Sequence, residues 1–148
     1  MPVDPKSICQ IALVVDDVEK VAKNYAELFG IEMPKCFLGS DPKESRTTYR
    51  GQPTGARAKL CVFNLGPLVL ELSQTTNDEP SSWKQFREEH GEGVHHIGFA
   101  VKDRREVMDF FASKGADERH YGEYPGGSYT FVDSEKEFGV IINVKADE

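Results

Sequence analysis

The chain has 148 residues, of which 39% are hydrophobic and 29% charged, with a formal net charge of −7. That length suits one domain with a sizeable core, and the composition is not that of a disordered chain. The acidic balance excludes a protein that tracks nucleic-acid phosphates through a basic face, and no apolar run approaches the length of a bilayer span.

Residues 8–15 (ICQIALVV) are too short for a helix and rich in β-branched side chains, and read as a buried strand. Asp16 or Asp17 then caps a helix in which Val18, Val21, Ala22, Tyr25, Leu28 and Phe29 recur at helical spacing, with Gly30 as its stop. A second strand at 31–38 is interrupted by Pro34, and the polar stretch 39–55 reads as a long mobile loop, a candidate lid. Segments 58–65 and 67–74 form a hairpin turning at Gly66-Pro67.

A short helix is expected over 79–90, starting near Pro80 or Ser81. Strand 94–101 (VHHIGFAV) follows, then a helix capped by Asp103, carrying Val107, Phe110 and Phe111, and closed by Gly115. Three more strands are expected at 116–124, 128–133 and 139–145. Cys9, Cys36 and Cys61 are odd in number, lack metal-type spacing and read as reduced thiols. With no signal-peptide pattern in residues 1–8, the expectation is a cytoplasmic protein without membrane or nucleic-acid partners.

The two halves repeat one another. Residues 10–15 parallel 96–101, Asp17 parallels Asp103, Gly30 parallels Gly115, and 68–72 (LVLEL) parallel 140–144 (VIINV). The expectation is an α+β fold built from two copies of one βαβββ unit whose strands face a shared pocket. The single domain is 1–148, with module one at 7–75, a linker helix at 79–90 and module two at 93–146.

Gln10, Glu71, His96 and Asn143 fall at matched positions, each polar within an apolar strand run. Strand alternation turns such residues toward a common cleft, and polar groups buried there must be paired or working. Gln10, Glu71 and His96 supply two oxygens and a nitrogen, a set that suits Zn, Co, Ni or Mn. A metal-free polar pocket is the alternative. There, burial would raise the pKa of Glu71, and His96, near neutrality, would serve as the second acid or base. His95 should face the other side of its strand, as a helix-contacting or surface histidine. Phe63, Phe99, Tyr129 and Phe131 are candidate pocket walls. His120 and Tyr121 border the pocket with at most one reaching in, and Arg46, Arg50, Arg57 and Lys59 are candidate contacts to ligand phosphates.

At these residues the chain resembles the vicinal oxygen chelate superfamily, and within it the methylmalonyl-CoA epimerase branch, through Trp83-Lys84-Gln85-Phe86 and residues 91–97 (GEGVHHI). The resemblance implies paired βαβββ modules forming a curved mixed sheet around a pocket, and metal ligands at Gln10, Glu71, His96 and Asn143. It also shows that Asn143 stands where a glutamate, both ligand and base, is usual. The reading is an epimerase or racemase that moves a proton at a carbon adjacent to a carbonyl, with Glu71 and His96 as the catalytic pair. Asn143, Tyr121, Phe99 and Tyr129 would contact the substrate, a small ketone such as a dihydroisoflavone or an acyl thioester. Two alternatives stand beside it: a metal-dependent glyoxalase-like lyase or dioxygenase, and a non-catalytic small-molecule-binding protein. The resemblance further implies a homodimer.

Overall fold

The computed structural model describes residues 2–147, so the two end residues of the expected domain lie outside it. Ten strands form one mixed sheet. Ile8–Val14 (β1) leads into helix Val18–Phe29 (α1), which Asp17 caps by accepting from the Lys20 N–H and which ends at Gly30 in the left-handed conformation, φ 66°. The expected strand over 31–38 shrinks to Phe37–Leu38 (β2), since Pro34 offers no N–H to a ladder. Thr48–Tyr49 (β3) and Gln52–Pro53 (β4) lie inside the expected loop, and Ala58–Asn64 (β5) and Val69–Thr75 (β6) form the hairpin.

Ser82–His90 (α2) starts from a Ser81 cap. Gly93–Val101 (β7), Arg104–Ser113 (α3), Glu118–Tyr124 (β8) and Gly127–Val132 (β9) follow in the expected order. A short helix that sequence periodicity did not reveal, Glu135–Phe138 (α4), precedes Ile141–Asp147 (β10).

The strand order is β2-β5-β6-β1-β7-β10-β9-β8-β3-β4. Residues of alternate parity point to opposite faces, and each face has its own core. Outside, α1 packs on Cys61, Phe63, Leu70 and Leu72, and α3 packs on Val132, Ile142, Val144 and Ala146. Inside, Trp83 and Phe86 of α2 join Val14, Ala58, Phe131 and Ile141, so the linker helix fills part of the concave side. Segment 39–55 then crosses from β2 at one end of the sheet to β3, which pairs with β8 near the other. It is pinned rather than loose: Tyr49 donates to Gln85, and Arg50 pairs with Asp133.

Candidate functional site

The space left inside the sheet is a cavity of about 230 Å³. Its walls include Gln10 (β1), Glu71 (β6), Tyr129 and Phe131 (β9), Asn143 and Lys145 (β10), and Trp83 (α2), while Gly39, Ser40, Ser45 and Thr47 of the crossing segment also line it. Three of the four matched polar positions therefore open onto it. The fourth, His96, lies directly behind: its Nε2 is 2.9 Å from Gln10 Oε1 and 4.0 Å from Glu71 Oε2. The second of these distances is too long for a hydrogen bond.

The expected wall residues divide by strand parity. Tyr129 lines the cavity, but Phe99 does not; it packs on the α3 side, one residue out of phase with Gly98. Phe63 belongs to the α1 core for the same reason. Tyr121 also faces away, with its hydroxyl donating to Glu123 and the Arg104 guanidinium 4.8 Å from its ring centroid. Among the expected phosphate-binding cations, Arg50 and Lys59 are paired with Asp133 and Glu19, Arg46 is largely exposed with its Nε 3.9 Å from Glu123, and Arg57 alone reaches the cavity wall.

His95 departs from strand alternation. Ala12 pairs with His96 and Leu13 with Val94, so His95 is an extra residue in β7, and this bulge turns both histidines inward. His95 does touch a helix, but the helix is α2 on the concave side: its Nε2 is 2.8 Å from Ser82 Oγ, and its Nδ1 is 2.6 Å from His96 Nδ1. A second bulge at Arg119 in β8 turns His120 inward, where its Nδ1 accepts from the Ser82 N–H and its ring stacks on Tyr129.

These contacts fix the protons. Gln10 Oε1 only accepts, and takes the Asn143 Nδ2–H at 2.9 Å. His96 must therefore donate to it from Nε2, leaving Nδ1 to accept from His95 Nδ1–H, and His95 Nε2 in turn accepts the Ser82 hydroxyl. All members are neutral. Burial, with lesser contributions from Lys145 and His120, pushes His96 down to about 3, and burial does the same to His120. His95 is held well below its usual range by burial first, and then by His96, His120 and Arg119. The expectation that His96 titrates near neutrality is thus corrected.

Glu71 behaves in the opposite way. Its side chain is 18% exposed, and burial lifts its carboxyl to about 7 against a smaller downward pull from Lys145. Neither Lys nor Arg lies within 4 Å of it among the described residues.

The donor set does not fit a divalent metal. An ion needs lone pairs converging on one point. Here the His96 lone pair is turned to His95, Gln10 Oε1 already accepts two N–H groups, and Asn143 Oδ1 is buried with no partner. Glu71 offers the only charge among the four matched residues, and the Lys145 cation shares the cavity. A grouping of Glu89, His90 and Glu135 does have ligand atoms within 4.8 Å of one another, but it lies where α2 ends and α4 begins, and none of its members lines the cavity.

The sequence of residues 9–131 matches the family model described as the glyoxalase/bleomycin resistance protein/dioxygenase superfamily. The chain belongs to that superfamily. Solved structures share the fold. A methylmalonyl-CoA epimerase of Streptomyces coelicolor, in complex with 2-nitronate-propionyl-CoA, is 20% identical with a TM-score of 0.63, over 95% of this chain and 96% of the other. The methylmalonyl-CoA epimerase of Mycobacterium tuberculosis is 15% identical with a TM-score of 0.63, over 96% and 88%. A hypothetical protein of Bacillus halodurans is 18% identical with a TM-score of 0.64, over 95% and 94%. No curated protein matches in sequence. At these identities the likeness to the solved structures is one of superfamily fold.

Proposed function

We propose that this protein is an epimerase or racemase that moves a proton at a carbon next to a carbonyl, with Glu71 as the base. The observation that carries this reading is the Glu71 carboxyl, held at about 7 by burial inside a cavity of small-molecule size. A base poised near the working pH combines a large ionised fraction with real basicity. The volume is below the ~300–1,000 Å³ of drug-sized sites. It suits a compact ketone, or the acyl end of a thioester whose carrier remains outside.

Glu71 takes the proton, and the C–H electron pair passes into the enolate. Carbon at that stage is planar: return of a proton to the opposite face completes epimerisation, and return to the original face regenerates the starting isomer. His96 holds its proton on Gln10 and orders the wall beside Glu71, a positioning role in place of the expected acid–base one.

The test is deuterium incorporation from D₂O at the α-carbon, followed by NMR over a panel of ketones and acyl thioesters. The native protein should exchange at least one of them, and Glu71→Gln should lose the exchange by about 10³-fold or more. Tight binding without exchange across the panel would replace this reading with that of a ligand-sequestering protein.

A further inference from the structure

Lys145 has no role in the sequence reading. It lies two residues beyond Asn143 on β10, on the same concave face, and its cross-strand neighbour on β9 is Tyr129. Its Nζ sits 5.7 Å from the centre of the Tyr124 ring, and no carboxylate lies within 4 Å of it among the described residues. A cation in a cavity wall with no carboxylate in contact is a prepared site for negative charge. Glu71 projects into the same space from β6, three strands away in the sheet order, so a small ligand can meet both.

We propose that Lys145 is the electrophile of the reaction, its ammonium donating a hydrogen bond to the substrate carbonyl oxygen and holding the enolate oxygen that forms there. This rests on the proton-transfer reading and deepens it. As Glu71 takes the proton, the C–H pair becomes the enolate C=C bond and the carbonyl π pair moves to oxygen, beside the ammonium. Reprotonation at carbon reverses both shifts, with no redox change and no leaving group. The Lys145 ammonium thus supplies the positive charge that the four matched residues are not arranged to hold as a metal ion.

The competing role for Lys145, a salt bridge to a substrate carboxylate, predicts a different outcome. With a neutral ketone that the native protein exchanges, Lys145→Met should lower kcat by about 10²–10³-fold with a smaller change in KM, while chelator leaves the native rate unchanged. An unaltered kcat on the neutral ketone, with KM raised only for keto acids, overturns the proposal. Calorimetric titration with propyl nitronate, an enolate mimic, and with neutral 1-nitropropane gives a readout independent of turnover. Native protein should bind the anion at least tenfold more tightly than Lys145→Met does, while the neutral compound should not distinguish the two. Nitronate binding indifferent to Lys145 overturns this assignment. Native protein that exchanges no ketone or thioester overturns the proton-transfer reading itself.

Discussion

His95 and His96 are consecutive in β7, yet both rings are buried on the concave side and their Nδ1 atoms lie 2.6 Å apart. One of the two atoms must be bare for this contact to hold, and the chain from Ser82 to Gln10 makes it that of His96. His95→Ala would leave the Ser82 hydroxyl and His96 Nδ1 buried without partners, at about 1–3 kcal/mol each, and would open a void against Phe86 and Phe131. The expected loss is about 3–5 kcal/mol in urea unfolding. A loss under 1 kcal/mol would mean that the relay is not continuous.

The same histidines set the response to acid. Their native pKa values lie below the unfolded value near 6.5, so the unfolded chain binds more protons once the pH falls under it. Their stabilisation is complete above pH 6.5 and is lost as the pH falls toward about 3. Glu71, raised from 4.5 to about 7, works the other way: its contribution is present below 4.5 and lost as the pH rises through 7. Three groups against one leave a net loss between pH 6.5 and 4.5, of order 1.4 kcal/mol per pH unit for each uncompensated histidine. Denaturation midpoints measured from pH 8 to 4 should fall steeply below 6, and His120→Asn should flatten the decline.

Much of this site was legible in the sequence because period-two alternation is a strong rule. Gln10, Glu71 and Asn143 reach one cavity and His96 stands directly behind it, as their repeat positions required. Phe99 could have been excluded by the same rule, since it is three residues from His96 and so of opposite parity. The failures have a different cause. A bulge adds one residue to a strand without any distinct composition, so neither the turning inward of His95 nor the extra residue Arg119 left a signal. Lys145 was missed because a lysine near a strand end reads as solvated. Only the closure of the sheet makes it a cavity residue.

Gly98 packs directly against this network. A Cβ there would lie 2.8 Å from Gln10 Oε1 and 2.9 Å from Gln10 Cβ, and the latter atom cannot swing aside. Gly98→Ala should push Gln10 off both His96 and Asn143, costing about 1–3 kcal/mol of stability. Because the displaced amide also forms part of the cavity wall, exchange should fall about tenfold. A crystal structure of the variant with Gln10 unmoved would refute the expectation.

Activity should depend on pH through Glu71. The base form is the carboxylate, so kcat/KM should rise with pH and level off above about 7, where the carboxyl loses its proton. Lys145 pulls this value down, so Lys145→Met should shift the acid limb to higher pH wherever residual activity permits measurement. A limb near the ordinary glutamate value would show that the cavity is wetter than its burial implies.

The number of bases can be read from where deuterium goes. His96 is neutral, its Nε2–H is committed to Gln10, and its lone pair is turned to His95, so it is not placed to act as a second base. In the proposed mechanism Glu71 alone then removes protons. When it returns one to the original face after its own proton has exchanged with solvent, the unreacted isomer becomes labelled. With a single enantiomer in D₂O, deuterium should therefore accumulate in recovered substrate and in product together from the earliest time points. NMR after chiral separation measures both. Fully labelled product beside unlabelled substrate would establish two bases on opposite faces, and would return His96 to the acid–base role that its sequence position suggested.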